Sequence, residues 1–311
     1  MSIDLEYTDV QRAVAAAVER FCRDRCTSEV TRAAGQEFPL GLWRGIAELG
    51  VLVIATPAGS GGALEICAAS EVLGRALFPG PLAATFFAVQ VLPDSDRARV
   101  GRGEALVSVG SPPMMPWAPL ATYYLIVEDD RAYSARARSQ VKAVETIGGE
   151  PWGRVELERV AALGSAGRAL AFHDVALAAY LAGAGQRLLE LVCEHARTRR
   201  QFGRPIGDFQ AVAHPLAECA MRLRGALALA QAAAFDLDHA GASALQRAAA
   251  ARISACAAAT RTLLVGHQTF GALGVTIEGP VYPFSMRIRQ LISLQLGRSV
   301  GYASVLAEFG L

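Results

Sequence analysis

The 311-residue sequence predicts a mainly α-helical protein with a small central β-domain, on three observations. Apolar residues recur at helical spacing in both terminal thirds, and short β-branched or aromatic runs cluster between them. The carboxyl-terminal third is, in addition, rich in alanine, which lets helices approach closely. The boundaries fall at 1–95 for a helical domain, 96–176 for the β-domain and 177–311 for a four-helix bundle. Hydrophobic residues at 52% with 19% charged describe a globular chain with a large core. Thirty Lys+Arg against 29 Asp+Glu leave a net charge of +1, so no electrostatic case exists for a nucleic acid or a membrane surface as partner.

Val10, Val14, Ala17, Val18 and Phe21 form one apolar helix face, and Leu42, Ile46 and Leu49 a second that Gly50 ends. Pro57-Ala58-Gly59-Ser60-Gly61-Gly62 lacks the Lys-Ser/Thr pair of a phosphate-binding loop and reads as a flexible turn. Strands are expected at 106–109, 123–127, 141–144, 154–157 and 170–172, where β-branched or aromatic runs are separated by Gly, Pro and Asp. The last third reads as helices at about 178–199, 209–238, 243–270 and 281–308, with Ser243-Ala244-Leu245-Gln246 as a capping box. Six cysteines, Cys22, Cys26, Cys67, Cys193, Cys219 and Cys256, show no metal-ligand spacing and fit reduced thiols. Asp4, Glu6 and Asp9 stand where an export signal would carry a basic start and an apolar run, so a cytoplasmic location is expected. No run reads as a membrane span, and none of the five histidines forms a metal-binding cluster.

The most distinctive stretch is Arg199-Arg200-Gln201-Phe202-Gly203-Arg204-Pro205-Ile206-Gly207-Asp208-Phe209-Gln210. Upstream, Leu181, Leu188, Val192 and Ala196 share a helix face, and Arg197, Arg199 and Arg200 sit at its carboxyl end, where the helix dipole favours cations. Gly203, Pro205 and Gly207 break that helix, and Asp208 is placed to cap the next. This corner resembles the signature of the acyl-CoA dehydrogenase family of flavoproteins. The order Phe38-Pro39, Leu42-Trp43, Leu49-Gly50, Pro57, Gly61-Gly62 and Glu71-Val72-Leu73-Gly74-Arg75 is similar to the family's amino-terminal domain. The resemblance implies a helical amino-terminal domain, a β-barrel-like middle domain ending in a strand like Phe172-His173-Asp174-Val175, and a carboxyl-terminal four-helix bundle.

In that family the corner reaches across a subunit interface to the pyrophosphate and adenosine of a neighbour's FAD. The resemblance therefore gives Arg199 the pyrophosphate, Gln201 a nearby hydrogen bond and Phe202 the adenine face. Gln268-Thr269-Phe270-Gly271-Ala272-Leu273-Gly274 is similar to a second family turn at the adenine end, matching at Gln268 and Gly271 but with Ala272 replacing a glycine. The middle-domain segments that hold the flavin ring are missing, with Ser111-Pro112-Pro113-Met114-Met115-Pro116-Trp117 in roughly their place. The family's general base, a glutamate that removes the α-proton of an acyl thioester, falls at Gln295. A second family position for that base falls on Asp238.

Both motifs that touch a neighbour's FAD are thus present, while those serving the chain's own site are altered. The implied function is a subunit of a heteromeric acyl-CoA dehydrogenase, in an α2β2 arrangement, that completes the FAD site of a second acyl-CoA dehydrogenase-like subunit. Its substrate would be a bulky acyl-CoA, as in steroid degradation, and its acceptor of the electron-transfer flavoprotein type. Two alternatives stay open: a self-sufficient homo-oligomeric dehydrogenase using Asp238 as base, and a flavin-free scaffold of the same fold.

Overall fold

The structure, a computed structural model, describes residues 6–27, 37–56 and 59–294. Among the described residues five α-helices come first: α1 (Asp9–Arg25), α2 (Leu40–Glu48), α3 (Ala63–Arg75), α4 (Leu82–Val91) and α5 (Asp94–Gly101). Seven short strands follow: β1 (Val107–Gly110), β2 (Met114–Pro116), β3 (Tyr123–Glu128), β4 (Arg131–Ala137), β5 (Lys142–Val144), β6 (Trp152–Arg154) and β7 (Leu157–Ser165). They form two small sheets, ordered β1-β3-β4-β7 and β2-β6-β5, in which only the β1–β3 pair is parallel. Met115, Ala118, Ile126 and Val155 make the buried core of this region.

The bundle consists of α6 (Gly167–Thr198), α7 (Gln210–Asp238), α8 (Ala244–Phe270) and α9 (Tyr282–Ile292), with a two-stranded ribbon, β8 (Arg200–Gln201) and β9 (Arg204–Pro205), between α6 and α7. Helix α6 starts eleven residues before the expected 178, so the strand expected at 170–172 and the strand end at Phe172–Val175 are helical turns. The reason is visible in burial: every residue from Ala169 to Gly185 is buried. A helix packed on all sides has no polar face and loses the periodicity that identifies helices. Helices α6 and α8 are long and apolar enough to cross a membrane by composition, yet 72% of the most apolar stretch of α6 is buried inside the protein.

One continuous core joins the amino-terminal helices to the bundle, from Val18 and Trp43 through Phe172 and Leu188 to Leu263 and Ile288. The α3–α6 crossing is close because each helix presents glycine to the other. A Cβ on Gly74 would lie 2.0 Å from the Tyr180 carbonyl oxygen, and one on Gly183 would lie 2.0 Å from that of Glu71. Neither of two expected caps forms. Asp208 lies in a short 3-10 turn and Phe209 is the N-cap of α7, while Ser243 precedes α8 without a side-chain cap bond.

Candidate functional site

The corner between α6 and α7 is a tight hairpin. Arg200 pairs with Pro205 and Gln201 with Arg204, leaving Phe202 and Gly203 at its tip with φ of 51° and 81°. Two consecutive left-handed residues are what a type I′ hairpin turn demands. Glycine meets the demand without strain, but a bulky aromatic residue there costs on the order of 1–3 kcal/mol. The hairpin is held by the backbone bonds Arg199 N–H to His195 O (2.8 Å) and Ile206 N–H to Arg199 O (2.9 Å). Arg200 Nη2 also donates to the Gly203 carbonyl at 3.2 Å.

What this architecture presents is side chains directed to solvent. Phe202 is 92% exposed, with its ring edge-on to Phe209 at 6.1 Å. Arg199 and Gln201 are exposed as well. Among the described residues Arg199 makes no ion pair, whereas the guanidinium of Arg204 covers the Phe209 ring at 4.1 Å and braces the hairpin's base. The second predicted turn is brought to the same end of the bundle. The His195 ring stacks on Phe270 at 4.3 Å, one helical turn before Arg199 and two residues after Gln268. Burial, and secondarily the charge of Arg199, hold the His195 imidazole below its ordinary pKa. Gln268 and Gly271 are exposed, and Gly271, at φ 60° and ψ −134°, ends α8 in backbone that side chains disfavour. His267 anchors the turn, with Nδ1 2.7 Å from the Gly274 carbonyl and Nε2 3.2 Å from Ser285 Oγ. Just past it Val275 and Ile277 are 72% and 66% exposed.

Asp238 is not part of this end, and its surroundings are those of a helix cap. Its Oδ1 accepts from Ala63 N–H at 2.7 Å and its Oδ2 from Leu64 N–H at 3.0 Å, at the amino terminus of α3. Burial raises its pKa, while the two backbone donors act in the opposite direction. With both oxygens engaged, the carboxylate joins two domains of the fold. Gln295 lies outside the described residues.

A second location brings together the segments expected to serve the chain's own site. Pro116 and Trp117 line a cavity of about 30 Å³ beneath the β-region, together with Leu294, the residue before Gln295. That volume holds about one water molecule. Trp117 does not face outward: it is buried and packs edge-on against Phe38 of the amino-terminal region at 5.0 Å. On the opposite wall a buried cation is fully engaged. Arg287 ion-pairs with Glu150 and donates to Tyr180 Oη (3.0 Å) and to the carbonyls of Phe78 (3.2 Å) and Gly80 (3.1 Å). Its pKa is pulled down to about 9 by burial. Gln290, one turn on, accepts from Gly148 N–H at 3.1 Å, so α9 clamps the 146–150 loop. Sequence reasoning missed both this clamp and the neighbouring His173. The adjacent His-Asp pair at 173–174 was a usable signal, obscured by its assignment to a strand.

Comparison with known proteins agrees with this architecture. The family model for the acyl-CoA dehydrogenase C-terminal domain matches residues 137–295, and that for the N-terminal domain matches residues 8–92. The acyl-CoA dehydrogenase IpdE2 of Mycobacterium tuberculosis is 28% identical over 283 residues, covering 82% of each chain. Among solved structures, the ChsE4-ChsE5 complex from Mycobacterium tuberculosis superposes with a TM-score of 0.82 at 23% identity, covering 99% of this chain and 98% of that one. PigA with FAD and proline superposes at 0.86 with 17% identity, covering 99% and 100%. With both family domains matched in order along the chain, and the family's signature corner built as an exposed hairpin, the protein belongs to the acyl-CoA dehydrogenase family.

Proposed function

We propose that this chain is the FAD-completing subunit of a heteromeric acyl-CoA dehydrogenase, giving its corner to the pyrophosphate and adenosine of FAD bound by a partner subunit. The observation that carries the reading is Phe202, an aromatic side chain held 92% exposed in left-handed backbone. Strain of that kind persists where the surroundings enforce it for a use, and among the described residues nothing covers this ring. The residues fit the group: Arg199 brings a guanidinium without an ion pair among the described residues for a phosphate, Phe202 a flat apolar face for adenine, and Gln268 an amide beside them. When bound, FAD supplies the hydride acceptor for α,β-desaturation. This chain's residues bind and orient its non-reacting end.

The chain's own cavity supports the same reading. At about 30 Å³ it is an order of magnitude below the roughly 300 Å³ at which small-molecule pockets begin. Trp117 and Arg287, the latter paired behind the wall with Glu150, occupy its walls. The base for α-proton removal belongs to the partner in this reading, and Asp238 serves as a cap. Two structural neighbours, the ChsE4-ChsE5 complex and the steroid enzyme Tcur3481-Tcur3483, are each named for two components. They favour a heteromeric assembly, and to it we add an α2β2 arrangement, a bulky acyl-CoA substrate and an acceptor of the electron-transfer flavoprotein type. Six free cysteines suit a cytoplasmic location.

The test is co-expression with candidate partner chains of the acyl-CoA dehydrogenase family from the same source. The two chains are expected to co-purify with flavin, and this chain alone to purify colourless. A chain that binds FAD alone and reduces it with an acyl-CoA would replace this reading with the self-sufficient enzyme.

A further inference from the structure

The 30 Å³ cavity has a polar floor that neither the family reaction nor the corner explains. His173 lines it and is 1% exposed. Its Nδ1 lies 2.9 Å from Asp174 Oδ1, and the other carboxylate oxygen accepts from Arg252 Nε at 3.0 Å. A carboxylate paired with a guanidinium is an acceptor, so Nδ1 is the nitrogen that donates to it and, in the neutral imidazole, Nε2 is left as the acceptor. Ser70 lines the same cavity from α3, is 1% exposed, and its hydroxyl has no hydrogen-bond partner among the described residues. Buried hydroxyls are rarely left in that condition, because an unmade bond costs on the order of 1–3 kcal/mol.

The remaining wall limits what the cavity can take. Arg287 is spent on Glu150, Tyr180 and two carbonyls, so among the described residues no lining cation awaits an anion. Asp174 is spent on His173 and Arg252, so no carboxylate awaits a cation. Leu82, Leu177, Val109 and Leu291 supply apolar surface. A hydroxyl group satisfies both polar groups at once, accepting from Ser70 Oγ–H and donating to His173 Nε2.

We propose that this cavity is a binding site for one small neutral hydroxyl compound, water by default, bridged between Ser70 and His173, with Asp174 and Arg252 fixing the imidazole tautomer. His173 and Arg199 lie 26 residues apart on α6 and its cap, roughly 39 Å at 1.5 Å per residue. The site therefore stands apart from the FAD half-site and does not depend on it. Its consequence bears on catalysis all the same. A hydrated imidazole is the reverse of the dry surroundings that prepare a carboxylate to remove an α-proton.

Nitrogen-15 histidine labelling of the full chain tests this, each of the five signals being assigned by single substitution. The expected result is the Nδ1–H tautomer at His173, a magnetisation-transfer peak from its ring to a long-lived water, and a saturable shift on adding methanol that the other four histidines do not show. Ser70→Val should abolish the water peak and the methanol shift while the tautomer stays. Should Ser70→Val fail to fold, Ser70→Ala removes only the oxygen and should weaken both signals at least tenfold. A proton on Nε2, a dry ring in the wild type, or an unchanged response in either variant would overturn the proposal. None of these results would alter flavin retention by the complex, which tests the corner separately.

Discussion

Replacing Arg199 by alanine separates binding from folding in a way few substitutions at this end of the bundle can. The residue contributes to the hairpin only through its backbone, as donor to His195 O and acceptor from Ile206 N–H, and both bonds survive truncation. Its exposed side chain makes no ion pair among the described residues, so the fold should change by less than about 0.5 kcal/mol. Against a pyrophosphate the guanidinium forms charge-assisted hydrogen bonds worth roughly 1.5–3 kcal/mol. At 1.4 kcal/mol per decade this is a weakening of FAD affinity of about 10- to 150-fold. The measurement is flavin absorbance per assembled heteromer during dialysis, with thermal unfolding of the chain alone as the control. Full flavin retention, with partner assembly intact, would refute the assignment of Arg199 to the pyrophosphate.

Three other substitutions bear on the surrounding architecture. Asp238→Asn should cost about 0.5–1 kcal/mol in urea unfolding, because one of the two backbone bonds at α3 and the favourable charge at the helix start are lost. It should leave heteromer turnover within a few fold; loss of α-proton exchange with FAD still bound would make Asp238 the base. His195→Phe keeps a ring against Phe270 and removes the titration. The folded pKa of His195 is below 6.5, so the unfolded chain binds the extra proton and wild-type stability falls as pH drops below about 6.5. The variant should lose that part of the decline, and identical pH profiles would count against the burial of this imidazole. Gly183→Ala, finally, drives a Cβ to 2.0 Å from the Glu71 carbonyl oxygen and should destabilise by about 1–3 kcal/mol or more. A neutral effect would mean that α3 and α6 slide freely.

What the sequence disclosed depended on whether a feature's cause was local. The corner was legible because its turn chemistry, Gly203 and Pro205 between two periodic segments, is contained in a dozen residues. Likewise α1 and α2 declared themselves through one-sided apolar spacing. The first turns of α6 did not, since burial on all sides from Ala169 to Gly185 erases that contrast. Asp238 was ambiguous for another reason. The groups it caps lie about 175 positions earlier in the chain, and no local pattern announces a partner at that separation. The roles of Trp117 and Arg287 were hidden in the same way, because their contacts reach Phe38, Phe78 and Gly80.

The paired glycines at the α3–α6 crossing have a consequence for synthesis of the chain. Phe78 receives its bond from Tyr180, Ala63 its cap from Asp238, and Gly80 its donor from Arg287. Residues 63–91 therefore leave the ribosome with α3 and α4 lacking the surfaces that bury them, and must wait for α6 to be translated. At about 5–20 residues per second, that interval lasts several seconds. During it the apolar faces of Ile66, Leu73, Phe86 and Phe87 are open to wrong partners. Expression of the amino-terminal segment by itself should then yield aggregates, and yields of the whole chain should respond to chaperone supply and to slower or faster translation between residues 100 and 185.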